Sequence, residues 1–441
     1  MTTFDGTFHG KSDDKSKDIT VPGWLDQVEP LAGTPAAGPD EVQQVSVLKI
    51  GPAAATRVLV LLGGREGAAG GFRILARELA GAVPGLQVWS VERREQNLAD
   101  LSAFGGDLRS SDDYYLGGGY SRQDGSTAPY AAEWGLEVLL GDVRQVVLAA
   151  SDGGRRDVVL GGHSVGAAAV AHYAAWDFDG SPGHADLSGL VMIDGGVRDA
   201  FKGAGMEFAL TPEAADGWLG QIRAGAVFEN ATSTAVQVGE EPQDAAIWYH
   251  QAARWALADP HGTAVLKDRL PSAYATQDAL TNAGLFGMLV DSAVGHPGYA
   301  VRSGGLDQKG DWTDSGPTPL ARVAEAHAGA PSGAFIWYTL SRVMLDLVAA
   351  NDFTDSGLAE HLGLRLRHVQ SIDIPLYAFG SGLTQGTVAS AAEELGSSTK
   401  IPQVSAHTDL GLTHQDLLYA APERNAFLRT LTAFLAGLPR R

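Results

Sequence analysis

The chain has 441 residues, 52 acidic against 32 basic for a formal charge of −20, 44% hydrophobic residues and no cysteine. The negative balance argues against nucleic-acid phosphates as partners, and the missing thiols exclude cysteine catalysis, thiolate metal sites and disulfides. The length suits one large domain with an insertion, or two domains.

Residues 1–40 are polar and rich in Gly, Pro, Asp and Lys, and read as a mobile N-terminal arm whose docking element is Val21-Pro22-Gly23-Trp24-Leu25. The chain opens with neither a basic leader nor an apolar h-region, and no later apolar run demands a membrane span. A cytoplasmic protein is the default expectation, and a trimmed secreted form reads the same way. Regular patterning begins with a strand over Val42 to Ile50 and a strongly buried one over Val58 to Leu62, which ends at Gly63-Gly64. Helical spacing follows over Phe72 to Leu79, then a strand over Leu86 to Val91. Asp100 to Ala132 sets Gly117, Gly118 and Gly119 among tyrosines, the composition of a loop able to cover a ligand or of a solvated connector. A helix is expected from Trp134 to Leu140.

The apolar run Val158-Val159-Leu160 then enters Gly162-His163-Ser164-Val165-Gly166, and small residues that open a helix come next. Strand, Gly-x-Ser-x-Gly and helix in that order make a nucleophile elbow: a sharp turn lifts the serine Oγ above the sheet, and the glycines let strand and helix pass close to it. His163 is expected to pack or to line the pocket wall. Leu187 to Ile193 supplies another strand, ending at Asp194-Gly195-Gly196. Strands alternating with helices imply a mostly parallel sheet with helices on both faces.

Residues 197–370 break this rhythm with helical stretches carrying Trp218, Trp248, Tyr249, Trp255, Phe286, Met288, Trp312, Phe335, Trp337 and Tyr338. Such side chains fill the core of a helical cap, and some are expected to line a pocket beneath it. Sheet periodicity resumes at Ile374 to Gly380 and Ile401 to Ser405, and the last helix is expected over Glu423 to Leu435.

A serine nucleophile needs a base, a carboxylate that orients the base, and donors for an oxyanion. The elbow at Ser164, the Gly63-Gly64 turn and the histidine segment Thr413-His414-Gln415-Asp416-Leu417-Leu418 resemble the α/β-hydrolase superfamily, serine esterases and lipases among it, over residues 42–196 and 370–437. The resemblance implies His414 as base, with His407 as the alternative after the same strand. The segment Gly380-Ser381-Gly382-Leu383-Thr384-Gln385 has no carboxylate where many members place the acid, which turns the reading to Asp194, with Glu92 and Asp416 as weaker substitutes and a turn-capping role as its other reading. Backbone amides of Val165 and Arg65 are the implied oxyanion donors. The Arg65 guanidinium is expected either to meet a substrate anion or to pair with Glu66.

Gly63-Gly64-Arg65-Glu66-Gly67 has neither dinucleotide spacing nor a Gly-Lys-Ser/Thr ending, and no His-Glu-x-x-His stands in the chain, so no nucleotide, metal or other cofactor is expected. Serine at the elbow also argues against halide and epoxide chemistry, which uses a carboxylate there. The expected architecture is an N-terminal arm (1–40), an α/β-hydrolase core in two parts (41–196 and 371–441) and a large, mainly helical cap or lid (197–370). The expected function is hydrolysis of a carboxylic ester or lactone through an acyl-enzyme, on a small-molecule acyl substrate with an apolar portion. Acyl transfer by the same serine, and a noncatalytic ligand-binding or scaffold role, are the alternatives.

Overall fold

The computed structural model describes residues 23–274 and 279–440; most of the expected arm, including Val21 and Pro22, lies outside them. Among the described residues the core is an eight-stranded sheet: β1 (Trp24–Ala32), β2 (Gln44–Pro52), β3 (Arg57–Leu62), β4 (Leu86–Glu92), β5 (Asp157–His163), β6 (Gly189–Ile193), β7 (Leu376–Gly380) and β8 (Val404–Thr408). Their spatial order is β1-β2-β4-β3-β5-β6-β7-β8. β2 runs antiparallel to both β1 and β4, and every other pairing is parallel.

Near-continuous apolar runs such as Val58 to Leu62 and Val158 to Leu160 form strands buried on both faces, as a parallel sheet covered by helices requires. Helices α1 (Arg73–Ala82), α2 (Leu136–Ser151), α3 (Val165–Ala175), α4 (Thr387–Ser397) and α5 (Ala426–Gly437) provide the cover. α1 packs on β2 and β4 and touches α5, α2 touches α3 under the centre of the sheet, and α4 lies along β7 and β8. α3 buries ten of its eleven residues, Gly166 to Ala175. That burial explains its Ala-rich sequence: small side chains let it approach the sheet closely.

Three expectations change. Trp24 to Ala32, read as arm, is a nine-residue edge strand paired along its whole length with β2. Its acidic side chains hid the alternation, because they point to solvent and to Arg73, Arg77 and Lys49. Asp100 to Ala132 is a packed connector. Asp107 caps a helix over Leu108–Leu116, Tyr115 donates to the Asp100 carbonyl at 2.9 Å, and Phe104, Tyr115 and Tyr120 pack tilted or edge-to-face around Trp337. The last strand starts later than Ile401, because Pro402 has no N–H for the ladder.

Between β6 and β7 lies the large helical insertion, with helices over Pro212–Arg223, Asp244–Ala258, Asn282–Val290, Leu320–Ala328 and Ser341–Ala349. Thr211 and Thr281 start two of these by accepting from the amides of Ala214 and Gly284. Among the described residues no helix is long and apolar enough to cross a membrane.

A buried ion pair ties the β1 end of the sheet to its helices. Arg94, just after β4, donates through Nε and Nη2 to the Asp142 carboxylate of α2 at 2.6 and 2.5 Å, and the Thr34 amide beyond β1 donates to the same carboxylate at 2.7 Å. Removing one member leaves an uncompensated buried charge. Arg94→Met is expected to lower the unfolding free energy by about 3–5 kcal/mol, measured as a shift in the urea midpoint at unchanged slope.

Candidate active site

The parallel strands bring their C-terminal ends to one edge of the sheet, where open α/β sheets hold their ligands. Ser164 follows β5 there with φ 58° and ψ −129°, a conformation that costs a residue with a side chain about 1–3 kcal/mol. The turn tolerates no larger neighbours. A Cβ at Gly162 would run into the Gly166 carbonyl, and one at Gly166 would stand 2.6 Å from the Leu62 carbonyl oxygen. The Ser164 amide is anchored on the Ile193 carbonyl at 2.9 Å, which couples the elbow to the end of β6.

Ser164, Val165, Gly64, Arg65 and His414 all line one cavity of about 250 Å³. Gly64 passes so close that a Cβ there would be 2.8 Å from the Ser164 Cβ. Val165 opens α3, so its amide has no intrahelical acceptor. Among the described residues neither the Val165 nor the Arg65 N–H donates a hydrogen bond. The Arg65 carbonyl is held by Arg93 Nη2 at 2.5 Å and Thr339 Oγ1 at 3.0 Å, which fixes the loop. Its guanidinium pairs with Glu229 of the insertion at 2.9 Å, in place of the expected Glu66 or a free anion site. Glu66 is buried, and burial raises its pKa.

His414 Nδ1 donates to Asp194 Oδ2 at 2.5 Å, which leaves Nε2 with a lone pair when the ring is neutral. Asp194 has no solvent exposure. Its carboxylate also accepts from the Ser381 amide at 2.7 Å, from the Ser381 hydroxyl, and from Thr384 Oγ1 at 2.7 Å. Burial works to raise its pKa, but the His414 and Ser381 hydrogen bonds outweigh that and hold it at about 2. The turn after β7, which carries no carboxylate of its own, thus supplies donors to the one on the neighbouring strand.

His163 lines the cavity beside the base, with its ring 4.2 Å from the His414 ring. Its Nε2 lies 3.1 Å from the His414 carbonyl, so that nitrogen carries the proton and donates. Burial, then the neighbouring His414, lowers its pKa and keeps it neutral. The other candidates stand elsewhere. His407 is on edge strand β8, bonded to Ser405 Oγ at 3.0 Å and packed near Tyr377. Glu92, pushed up to about 7 by burial, accepts from Ser332 Oγ at 2.6 Å. Asp416 accepts from the amides of Arg302 and Thr413 and from Thr318 Oγ1, joining the His414 loop to the insertion.

Of the aromatic residues picked out in the insertion, Phe335 lines the cavity, whereas Trp337, Tyr338, Phe286 and Tyr249 are packed in the core. Phe201, Met206, Phe208, His296 and Tyr299 are among the other wall residues from the insertion. Sequence reasoning missed Ser381, Thr384 and Thr339. A usable signal was present: a buried Asp at a strand end needs several donors, and two hydroxyl residues closed the next strand in the sheet.

No protein-family model and no curated protein matches the sequence. Among solved structures, a candidate lipase from Sulfolobus solfataricus superposes with a TM-score of 0.54 at 14% identity, over 92% of this chain and 93% of that one. The chain has the α/β-hydrolase fold. An epoxide hydrolase from an endophytic Streptomyces gives a TM-score of 0.45 at 16% identity over 95% of this chain and 96% of that one. A thermophilic esterase from Thermogutta terrifontis gives 0.42 at 13% identity, over 93% and 99%. Among the described residues of this α/β-hydrolase-fold chain no group of His, Cys, Asp and Glu is arranged to hold a metal ion.

The depressed Asp194 pKa has a signed consequence. It lies below the ordinary value of 3.8, so ionised Asp194 stabilises the fold above that value, and this contribution is lost as the pH falls toward about 2. Urea unfolding from pH 6 to pH 2 is expected to show that loss in the wild type and a flatter profile in Asp194→Asn.

Proposed function

We propose that the chain is a serine hydrolase that cleaves a carboxylic ester or lactone through an acyl-enzyme, with Ser164 as nucleophile, His414 as base and Asp194 as the carboxylate that orients it. One observation carries this reading: a serine on a strained elbow shares a cavity with a histidine whose far nitrogen is bonded to a buried, ionised aspartate.

In the first half-reaction His414 Nε2 takes the Ser164 hydroxyl proton while Oγ bonds to the acyl carbon, and the carbonyl electrons move onto oxygen. The oxyanion is met by the amides of Val165 and Arg65, donors of a kind whose removal costs about 10²–10³ in rate. Asp194 stabilises the imidazolium. His414 then protonates the departing alkoxide as the tetrahedral carbon collapses to the acyl-enzyme. In the second half a water gives its proton to His414 and attacks the acyl carbon, and Ser164 leaves with that proton as the free acid forms. An apolar acyl portion suits the walls contributed by Phe72, Phe201, Phe208 and Phe335. The candidate lipase of the same fold points the same way.

Ser164→Ala is expected to abolish covalent labelling by a fluorophosphonate and to lower ester turnover about 10⁴-fold or more; a variant that still takes the label overturns the assignment. Asp194→Asn, which favours the wrong His414 tautomer, is expected to lower kcat about 10⁴-fold. His414→Ala is expected to match the serine variant and His407→Ala to behave as wild type, both measured as kcat/KM on p-nitrophenyl butyrate.

A further inference from the structure

Among the described residues, buried tyrosines have their hydroxyls hydrogen-bonded, with one exception. Tyr115, Tyr173, Tyr249, Tyr274 and Tyr377 donate to carbonyl, carboxylate or hydroxyl oxygens at 2.5–3.1 Å. Tyr120 and Tyr338 are bonded to Gln243 and to the Gln123 amide. Tyr419, on the short helix Asp416–Tyr419 that follows the candidate base, is 2% exposed, and among the described residues its hydroxyl has no partner. It lines the active-site cavity. Gly71 keeps the space beside it open, since a Cβ there would stand 3.4 Å from the hydroxyl oxygen.

Phe72, Phe335 and Leu418 share the cavity wall with Tyr419. The nearest titratable ring is His327, with its centroid 6.5 Å from that of Tyr419. Burial keeps that imidazole neutral, lowering its pKa to about 3, and neither of its ring nitrogens is hydrogen-bonded among the described residues. The Tyr419 hydroxyl therefore stands on the cavity wall as a donor that no protein group engages among the described residues, free to meet a polar group of a bound molecule. A ligand hydroxyl suits that donor, because it can accept from the Tyr419 O–H without bringing a charge into the pocket.

We propose that Tyr419 forms a specificity subsite for a hydroxyl carried on the apolar portion of the substrate, so that hydroxylated esters are preferred over plain hydrocarbon esters of the same length. The proposal rests on the hydrolase reading above and deepens it from an acyl substrate to a hydroxylated one.

The test compares kcat/KM for p-nitrophenyl esters of straight-chain acids in which a single hydroxyl is walked along the chain, and for acetate esters in which it is walked along the alcohol. Wild type is expected to prefer at least one hydroxylated ester over its plain counterpart by about 10- to 100-fold, because a site built around a hydrogen bond discriminates against the analogue lacking it. The series that shows the preference assigns the subsite to the acyl or to the alcohol side. Tyr419→Phe is expected to bring the ratio to about 1. No preference in wild type, or a ratio unchanged in Tyr419→Phe, overturns the proposal. So does a uniform slowing of both ester types, the signature of a hydroxyl that serves the fold through a bound water. A binding arm uses Ser164→Ala and calorimetry with the preferred hydroxylated ester and its plain counterpart, which needs no acyl transfer, with Ser164→Ala/Tyr419→Phe as control. Discrimination there without fluorophosphonate labelling of wild-type Ser164 removes the hydrolase reading and keeps the subsite; labelling without discrimination does the reverse.

Discussion

A carboxylate with no solvent exposure must have its charge answered by donors, and Asp194 draws those donors from two other strand ends. Ser381 and Thr384 come from the turn after β7 and His414 from the loop after β8, so β6, β7 and β8 terminate on one anion. The elbow is held in the same frame, because the Ser164 amide bonds to Ile193, the residue before Asp194. Gly195 continues the join: a side chain there would strike the Ser164 carbonyl. Satisfying this one charge therefore sets the relative places of the candidate nucleophile and base, which lie far apart in sequence.

The features legible in the sequence are those fixed by local physics. Apolar runs over Val58 to Leu62 and Val158 to Leu160 give strands because their period and burial leave little choice, and Gly162 and Gly166 mark a turn that admits no other residue. Asp194 follows from the resemblance, since it stands at the end of β6 while the turn after β7 has no carboxylate. What escaped was the non-local pairing: β1 depends on β2 for its ladder, Arg65 on Glu229 in the insertion, and Asp194 on Ser381. The acidic residues of β1 carry no mark in sequence of the cations they pair with, and the hydroxyls after β7 become legible only once Asp194 is placed beside them.

The insertion reaches the site through backbone as much as through side chains. Asp416, two positions beyond the candidate base, accepts from the Arg302 amide and the Thr318 hydroxyl, and Thr413 donates to the Ala300 carbonyl at 2.8 Å. The Ala68 amide bonds to the Ala334 carbonyl at 2.9 Å on the opposite wall. Both the loop that follows β3 and the loop that carries His414 are thereby stitched to the insertion. A cavity built this way takes its shape from the core and its lining from the insertion, the division expected where one sheet edge serves different substrates.

Strand β1 has a meaning for the molecule in a crowd of its own copies. The outer edge of a sheet offers unpaired backbone groups to any passing strand, and long flat edges recruit them. Here that edge contains Pro30, which has no N–H to offer. Asp26 and Glu29 engage Arg73, Arg77 and Lys49 along it. An incoming chain would meet charged side chains beside the edge and a ladder interrupted at Pro30. The acidic stretch that obscured the strand in sequence is thus a guard against runaway strand addition, and the net charge of −20 adds a repulsion between copies acting at longer range.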